Sequence, residues 1–177
     1  MLRGASSPQV RPGIVFLGRL FCLILPILFA APCASAELTL ALVGENGDTL
    51  YSTPVKDGTT FAIRYQHSVA LSPVIDYFVI RDNEIWLDKT VYQDFGAGLP
   101  HEPGHGQKLS QNNGQLELSG FNRRLGSFQL RVGRVANHVL MLAQGNVKKR
   151  QEWLEVPLNK YARPGSAITF VVRPGQN

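Results

Sequence analysis

The chain has 177 residues, with 18 Lys and Arg against 13 Asp and Glu and a formal net charge of +5. Three of the basic residues, Arg3, Arg11 and Arg19, stand in the first 36 residues, which hold no acidic one, so residues 37–177 carry a net charge of +2. That excess is too small to mark a nucleic-acid-binding surface.

The first 36 residues read as a targeting segment. Leu20 to Ala31 is an apolar run of signal-peptide length, and Ala34-Ser35-Ala36 supplies the small residues of a cleavage site. The expectation is a signal peptide over 1–36, cleavage between Ala36 and Glu37, and a periplasmic or secreted domain over 37–177. An uncleaved anchor is the alternative, but Gly18 and Arg19 interrupt an apolar run that would need ~20 residues to span a bilayer. Lipid attachment at Cys33 fits poorly with Pro32 before it. No later stretch is long and apolar enough to span a membrane. Both cysteines, Cys22 and Cys33, fall in the leader. The expected mature chain therefore has no disulfide, thiolate nucleophile or Cys-ligated metal site, and its stability rests on an apolar core.

After Glu37 short alternating runs are broken by turn residues. Strands are predicted at 38–42, 49–55, 60–69, 74–81 and 85–95. Asn46-Gly47 suits a hairpin between the first two, and Asp82-Asn83-Glu84 a tight turn between the last two. Residues 96–107, GAGLPHEPGHGQ, form one long irregular loop. Further strands are predicted at 115–119, 127–132, 139–144, 152–157 and 166–172. Val139 to Ala143 is apolar on both faces and reads as a central strand. Lys148-Lys149-Arg150 reads as a solvated turn. No helical periodicity, internal repeat or linker is present. The pattern predicts a single all-β domain, an antiparallel β-sandwich or a small β-barrel.

Chemistry concentrates in two places. In FAIRYQHSVALSPVIDYFVI, from Phe61 to Ile80, pairing Val69 with Val74 across the turn Ala70 to Pro73 sets His67 opposite Asp76. Both then lie on a face shared with Phe61, Ile63, Tyr65, Phe78 and Ile80. Cross-strand Cβ atoms are ~4.5–5.5 Å apart, close enough for a hydrogen bond. Such a pair serves either as a binding or acid–base site or as a polar lock on register. A one-residue change in the turn would separate the two. Ser68 points to the opposite face from His67 and cannot easily be activated by it.

The second place is the long loop. His101-Glu102-Pro103-Gly104-His105 spells HExxH, but that zinc chemistry requires a helix, which Pro103 and Gly104 oppose. No metal or cofactor is expected from it. In Phe95-Gly96-Ala97-Gly98-Leu99-Pro100 the paired glycines permit a sharp bend, or a backbone nest for an anion.

HSV at 67–69, SP at 72–73, an acidic residue at 76 followed by an aromatic, and FGAGLP at 95–100 together resemble the bacterial domain of unknown function family eighteen-fifty. LRVGRVANHVL at 130–140 is similar to the family's C-terminal half. The family pattern usually has Glu where this chain has Asp76. The resemblance implies a small exported accessory protein associated with TRAP transporters of the TAXI type, and it supplies no activity. Carried over by position, it implies site residues His67, Ser68, Asp76, Gly96, Gly98, Pro100 and His138. It also leads us to expect that Gly96 to Pro100 packs near the His67–Asp76 end of the sheet. With no complete catalytic set, the reading favours binding of a small molecule or a transporter component. The alternatives are a periplasmic enzyme using His67 and Asp76 as an acid–base pair, and a purely structural module.

Overall fold

Turn chemistry sets the strand boundaries. A computed structural model describes residues 37–93, 99, 102–144 and 152–175. Among these lie β1 (Leu38–Gly44), β2 (Thr49–Val55), β3 (Thr60–Gln66), β4 (Pro73–Arg81), β5 (Glu84–Tyr92) and β6 (Lys108–Asn112). They are followed by β7 (Gln115–Gly126), β8 (Phe128–Arg131), β9 (Val139–Gln144), β10 (Glu152–Pro157) and β11 (Ala167–Pro174), with one 3-10 turn at Leu158–Lys160. Asp82 and Asn83 both adopt positive φ, 51° and 62°, which gives the two-residue turn that matches strand twist. Among the described residues no helix is long and apolar enough to cross a membrane.

The strands make two antiparallel sheets. One has the order β2-β1-β11-β8 and the other β10-β9-β3-β4-β5-β7-β6. Their inner faces contribute to one buried cluster, so the all-β expectation resolves to a β-sandwich. At its centre stand four phenylalanines, two from each sheet. Phe61 and Phe78 are cross-strand partners in one sheet, and Phe128 and Phe170 in the other. Their rings stack nearly parallel, with centroids 5.0 Å apart for Phe61–Phe78, 5.0 Å for Phe78–Phe128 and 4.8 Å for Phe128–Phe170. As expected, β9 lies inside its sheet, with Leu140, Met141 and Leu142 all buried.

Two elements depart from the sequence reading in extent. β6, KLSQN, carries no apolar alternation and was not anticipated. It is an edge strand with exposed Lys108, Gln111 and Asn112, joined to β7 through Asn113-Gly114, both at positive φ. β7 runs on to Gly126, through a glycine that interrupts the expected strand. Gly120 has φ +81°, and a Cβ there would stand 2.7 Å from the Gly106 carbonyl oxygen, so only glycine fits this approach.

The β3–β4 register departs in substance. Asp76 faces Ile63, Tyr65 faces Val74 and Gln66 faces Pro73. The expected His67–Asp76 cross-strand pair therefore does not form. The connection spans residues 67–72 instead of four residues, and the ladder has moved by an even step. Because strand faces repeat every two residues, every expected core residue of this hairpin's ladder keeps its face: Phe61, Ile63, Val74, Phe78 and Ile80 are buried. Val69 and Leu71, expected in the strand and its turn, are 70% and 59% exposed.

Candidate functional site

Asp76 is held on the inner face of β4 by the strand alternation that buries Val74 and Phe78. Its direct neighbour on β5 is Thr90, and the Thr90 hydroxyl donates to Asp76 Oδ1 at 2.7 Å. That contact exists because of a bulge. From Arg81 to Phe78 the β4–β5 pairing is regular, but an extra residue, Asp88, intervenes before Tyr77 pairs with Lys89. The bulge reverses the alternation of β5. Ile85 is buried on one side of it, and Thr90 and Tyr92 are buried on the other. Without it Lys89 and Val91 would face the core. Bulges often re-aim side chains in this way beside sites.

Tyr65 lies diagonally across from Asp76, beside the directly facing Ile63. Its phenol hydrogen-bonds the Asp76 carboxylate. Burial pushes the Asp76 carboxyl above its ordinary range, and the bonds from Thr90 and Tyr65 pull against that shift. The Tyr65 phenol is pushed well up, first by burial and then by the Asp76 charge, so it stays neutral.

His138 completes the group from the other side. It precedes β9, and its Nδ1 accepts from the Gly133 N–H at 3.4 Å, which leaves the proton on Nε2. Its ring lies 5.5 Å from that of Tyr65. Burial pushes its pKa down, favouring the neutral imidazole. Asp76, Tyr65 and His138 line a cavity of about 270 Å³ between the sheets. Its walls include Ile63, Phe78 and Leu87 from the larger sheet, and Phe128 and Leu130 from β8, the edge strand of the smaller one. A groove of similar size, about 290 Å³, lies at the end of the sandwich between residues 64–73 and 136–139. We place the site in the first, because there a carboxyl, a phenol and an imidazole converge on apolar walls.

The structure thus brings Asp76 and His138 together and sets His67 and Ser68 apart from their cavity. His67 is buried and organises the turn that follows β3. Its N–H donates to the Ser72 carbonyl at 2.9 Å and its carbonyl accepts from the Leu71 N–H at 2.9 Å. Its Nδ1 accepts from the N–H groups of Val69 and Ala70, at 3.3 and 3.1 Å. Ser68 is exposed in this turn. Gly96, Gly98, Pro100 and His101 lie outside the described residues, as do the leader and Lys148 to Arg150. Leu99 is described, and it is buried in a cluster with Val74, Tyr92, Leu116 and Leu118. That cluster adjoins the site, since Tyr65 packs against it as well. The rest of HExxH, Glu102 to His105, is exposed and forms bends and turns, not the helix that motif needs.

Sequence reasoning missed Tyr65 and Thr90. A tyrosine in an apolar stripe reads as core, and Thr90 reaches Asp76 only through the bulge. The alternation Ile85, Leu87, Thr90, Tyr92, with its change of phase at Asp88, was the available signal.

A β-sandwich with a half-polar cavity between its sheets is the class that fold and site define. Residues 61–148 match the family model described as Domain of unknown function (DUF1850), and over that span the chain belongs to this family. No curated protein and no solved structure matches the chain. The matched span includes both Asp76 and His138.

Proposed function

We propose that residues 37–177 form an exported module that binds a small molecule in the cavity between the sheets. The observation that carries this reading is the convergence of Asp76, Tyr65 and His138 on a cavity of about 270 Å³ with apolar walls. Pockets of this character, apolar with a few placed polar groups, are the usual form of a ligand site. Catalysis by His67 and Asp76 has lost its geometric basis, since Ile63 stands opposite Asp76 and His67 Nδ1 is engaged by its own turn. His67 fits the structural role. The test is native mass spectrometry of the domain from its source cells, beside Leu130→Trp, which fills the cavity. A small molecule carried by the natural protein and absent from the variant is expected. A folded natural domain that arrives empty would count against the reading.

A second reading, docking to a transporter component of the TRAP type, rests on the family resemblance and on one surface. Val69, Leu71 and Val135 are exposed on two loops at the same end of the sandwich, which are tied by the Gln66 N–H donating to the Ala136 carbonyl at 2.7 Å. Exposed apolar side chains gathered in this way mark contact surfaces. Capture from native membranes should recover a transporter subunit with the natural domain and lose it with Val69→Ser and Val135→Ser together. Equal recovery with the double variant would refute it.

A further inference from the structure

The lining of this cavity is unusual in its charge. Among the described residues that line it, Asp76 is the one carboxylate, and no Lys or Arg is included. The nearest basic residue in sequence on β3, Arg64, alternates to the outer face. There it forms a bidentate pair with Glu155, at 2.9 and 2.8 Å. Among the described residues, the other titratable groups lining the cavity are the Tyr65 phenol and the His138 imidazole. With His138 neutral, an anionic ligand would meet the carboxylate and, among the described residues, no compensating cation.

The other lining groups are uncharged, with Gln129 and the neutral His138 as further polar groups. Tyr65 lines the cavity beside Asp76, while Phe78 and Phe128, each stacked on two other rings, supply apolar wall. Asp76 accepts from Thr90 at Oδ1 and from Tyr65, yet a carboxylate has about four acceptor positions. Capacity for one further donor therefore remains. Ile63, Leu87 and Leu130 supply apolar surface for a ligand body.

The geometry points to a small organic ammonium compound as the ligand, its cationic head at Asp76 and its apolar body against Ile63, Leu87 and Leu130. This inference rests on the small-molecule reading above and goes further by fixing the sign of the ligand's charge. It does not involve a covalent step.

Three probes with one skeleton separate the possibilities: cyclohexylmethylamine, cyclohexylmethanol and cyclohexanecarboxylate. Each is titrated into the isotope-labelled domain, and the amide signals of Tyr65, Thr90 and His138 are followed by NMR. The amine should bind about tenfold or more tightly than the alcohol, as a charge-assisted hydrogen bond implies. The carboxylate should bind least. Asp76→Asn should remove the amine's advantage, lowering its affinity far more than that of the alcohol. Should that variant fail to fold, the natural domain carries the check: the amine's advantage over the alcohol should shrink on acidification as Asp76 takes up its proton, and an advantage that persists would overturn the ligand class. An alcohol or carboxylate that binds as tightly as the amine would overturn the ligand class and leave the cavity reading standing. Silence of all three amides with every probe would overturn both.

Discussion

At the scale of single residues, Asp76 governs how this site responds to pH. Its carboxyl is buried beside apolar side chains, so the folded protein holds the Asp76 proton to higher pH than the unfolded chain does. Between the two values the native state binds more protons, and stability falls as pH rises. The penalty is absent below the ordinary value of 3.8 and complete above the raised one. Asp76→Asn carries no charge at any pH and keeps an oxygen for the Thr90 hydroxyl. It should therefore be more stable than the natural protein at neutral pH, with the difference closing on acidification. Urea unfolding across that range measures it, and a difference that grows toward acid would contradict this account. A stabilising substitution at a buried charge is what a site kept for binding, not for stability, would show.

At the scale of elements, two local devices build the site: the bulge in β5 and the turn after β3. The bulge delivers Thr90, as described above. The turn holds Leu71 in the left-handed region, with φ 52°. A left-handed conformation costs a non-glycine residue roughly 1–2 kcal/mol. Its N–H bonds to the His67 carbonyl and its carbonyl accepts from Gln66 Nε2 at 3.1 Å, so the surrounding bonds hold it there. Leu71→Gly keeps both backbone bonds and loses little packing, the side chain being largely exposed. It should stabilise the domain by up to about 1 kcal/mol, after the greater freedom of glycine in the unfolded chain is counted. A loss of stability in chemical denaturation would show that the Leu71 side chain makes contacts that outweigh its strain. The same turn explains why the His67–Asp76 pairing failed. The sequence between Gln66 and Pro73 accommodates either a four-residue turn or the six-residue one. The His67 ring decides in favour of the longer, by accepting two backbone N–H groups that the shorter turn would leave elsewhere.

At the scale of the whole molecule, the two sheets meet through the phenylalanine stack, and the cavity lies where that stack ends. Phe78 and Phe128 belong both to the stack and to the cavity wall. The rigid packing that joins the sheets is thereby also the floor of the site. The sequence alone was sufficient for the all-β class, the positions of most strands, the Asp82-Asn83 turn and the inward face of the β3–β4 hairpin. Those features are local: alternation has a period of two, and turn residues act on their own φ angles. Asp76 was legible as a candidate because a carboxylate in an apolar stripe is conspicuous by itself. His138 was reached through family resemblance, since nothing in its own surroundings in the chain distinguishes it. The partners of Asp76 were decided by tertiary structure alone. Whether His67 or Tyr65 meets Asp76 depends on a register shifted by an even step, which leaves the hydrophobic pattern unchanged and so cannot be read from it. Whether Thr90 faces inward depends on a bulge stabilised by pairing with both β4 and β7. That His138 and β8 close the other side depends on strand order in two sheets, which is settled by burial of long-range apolar contacts and leaves no local mark on the chain.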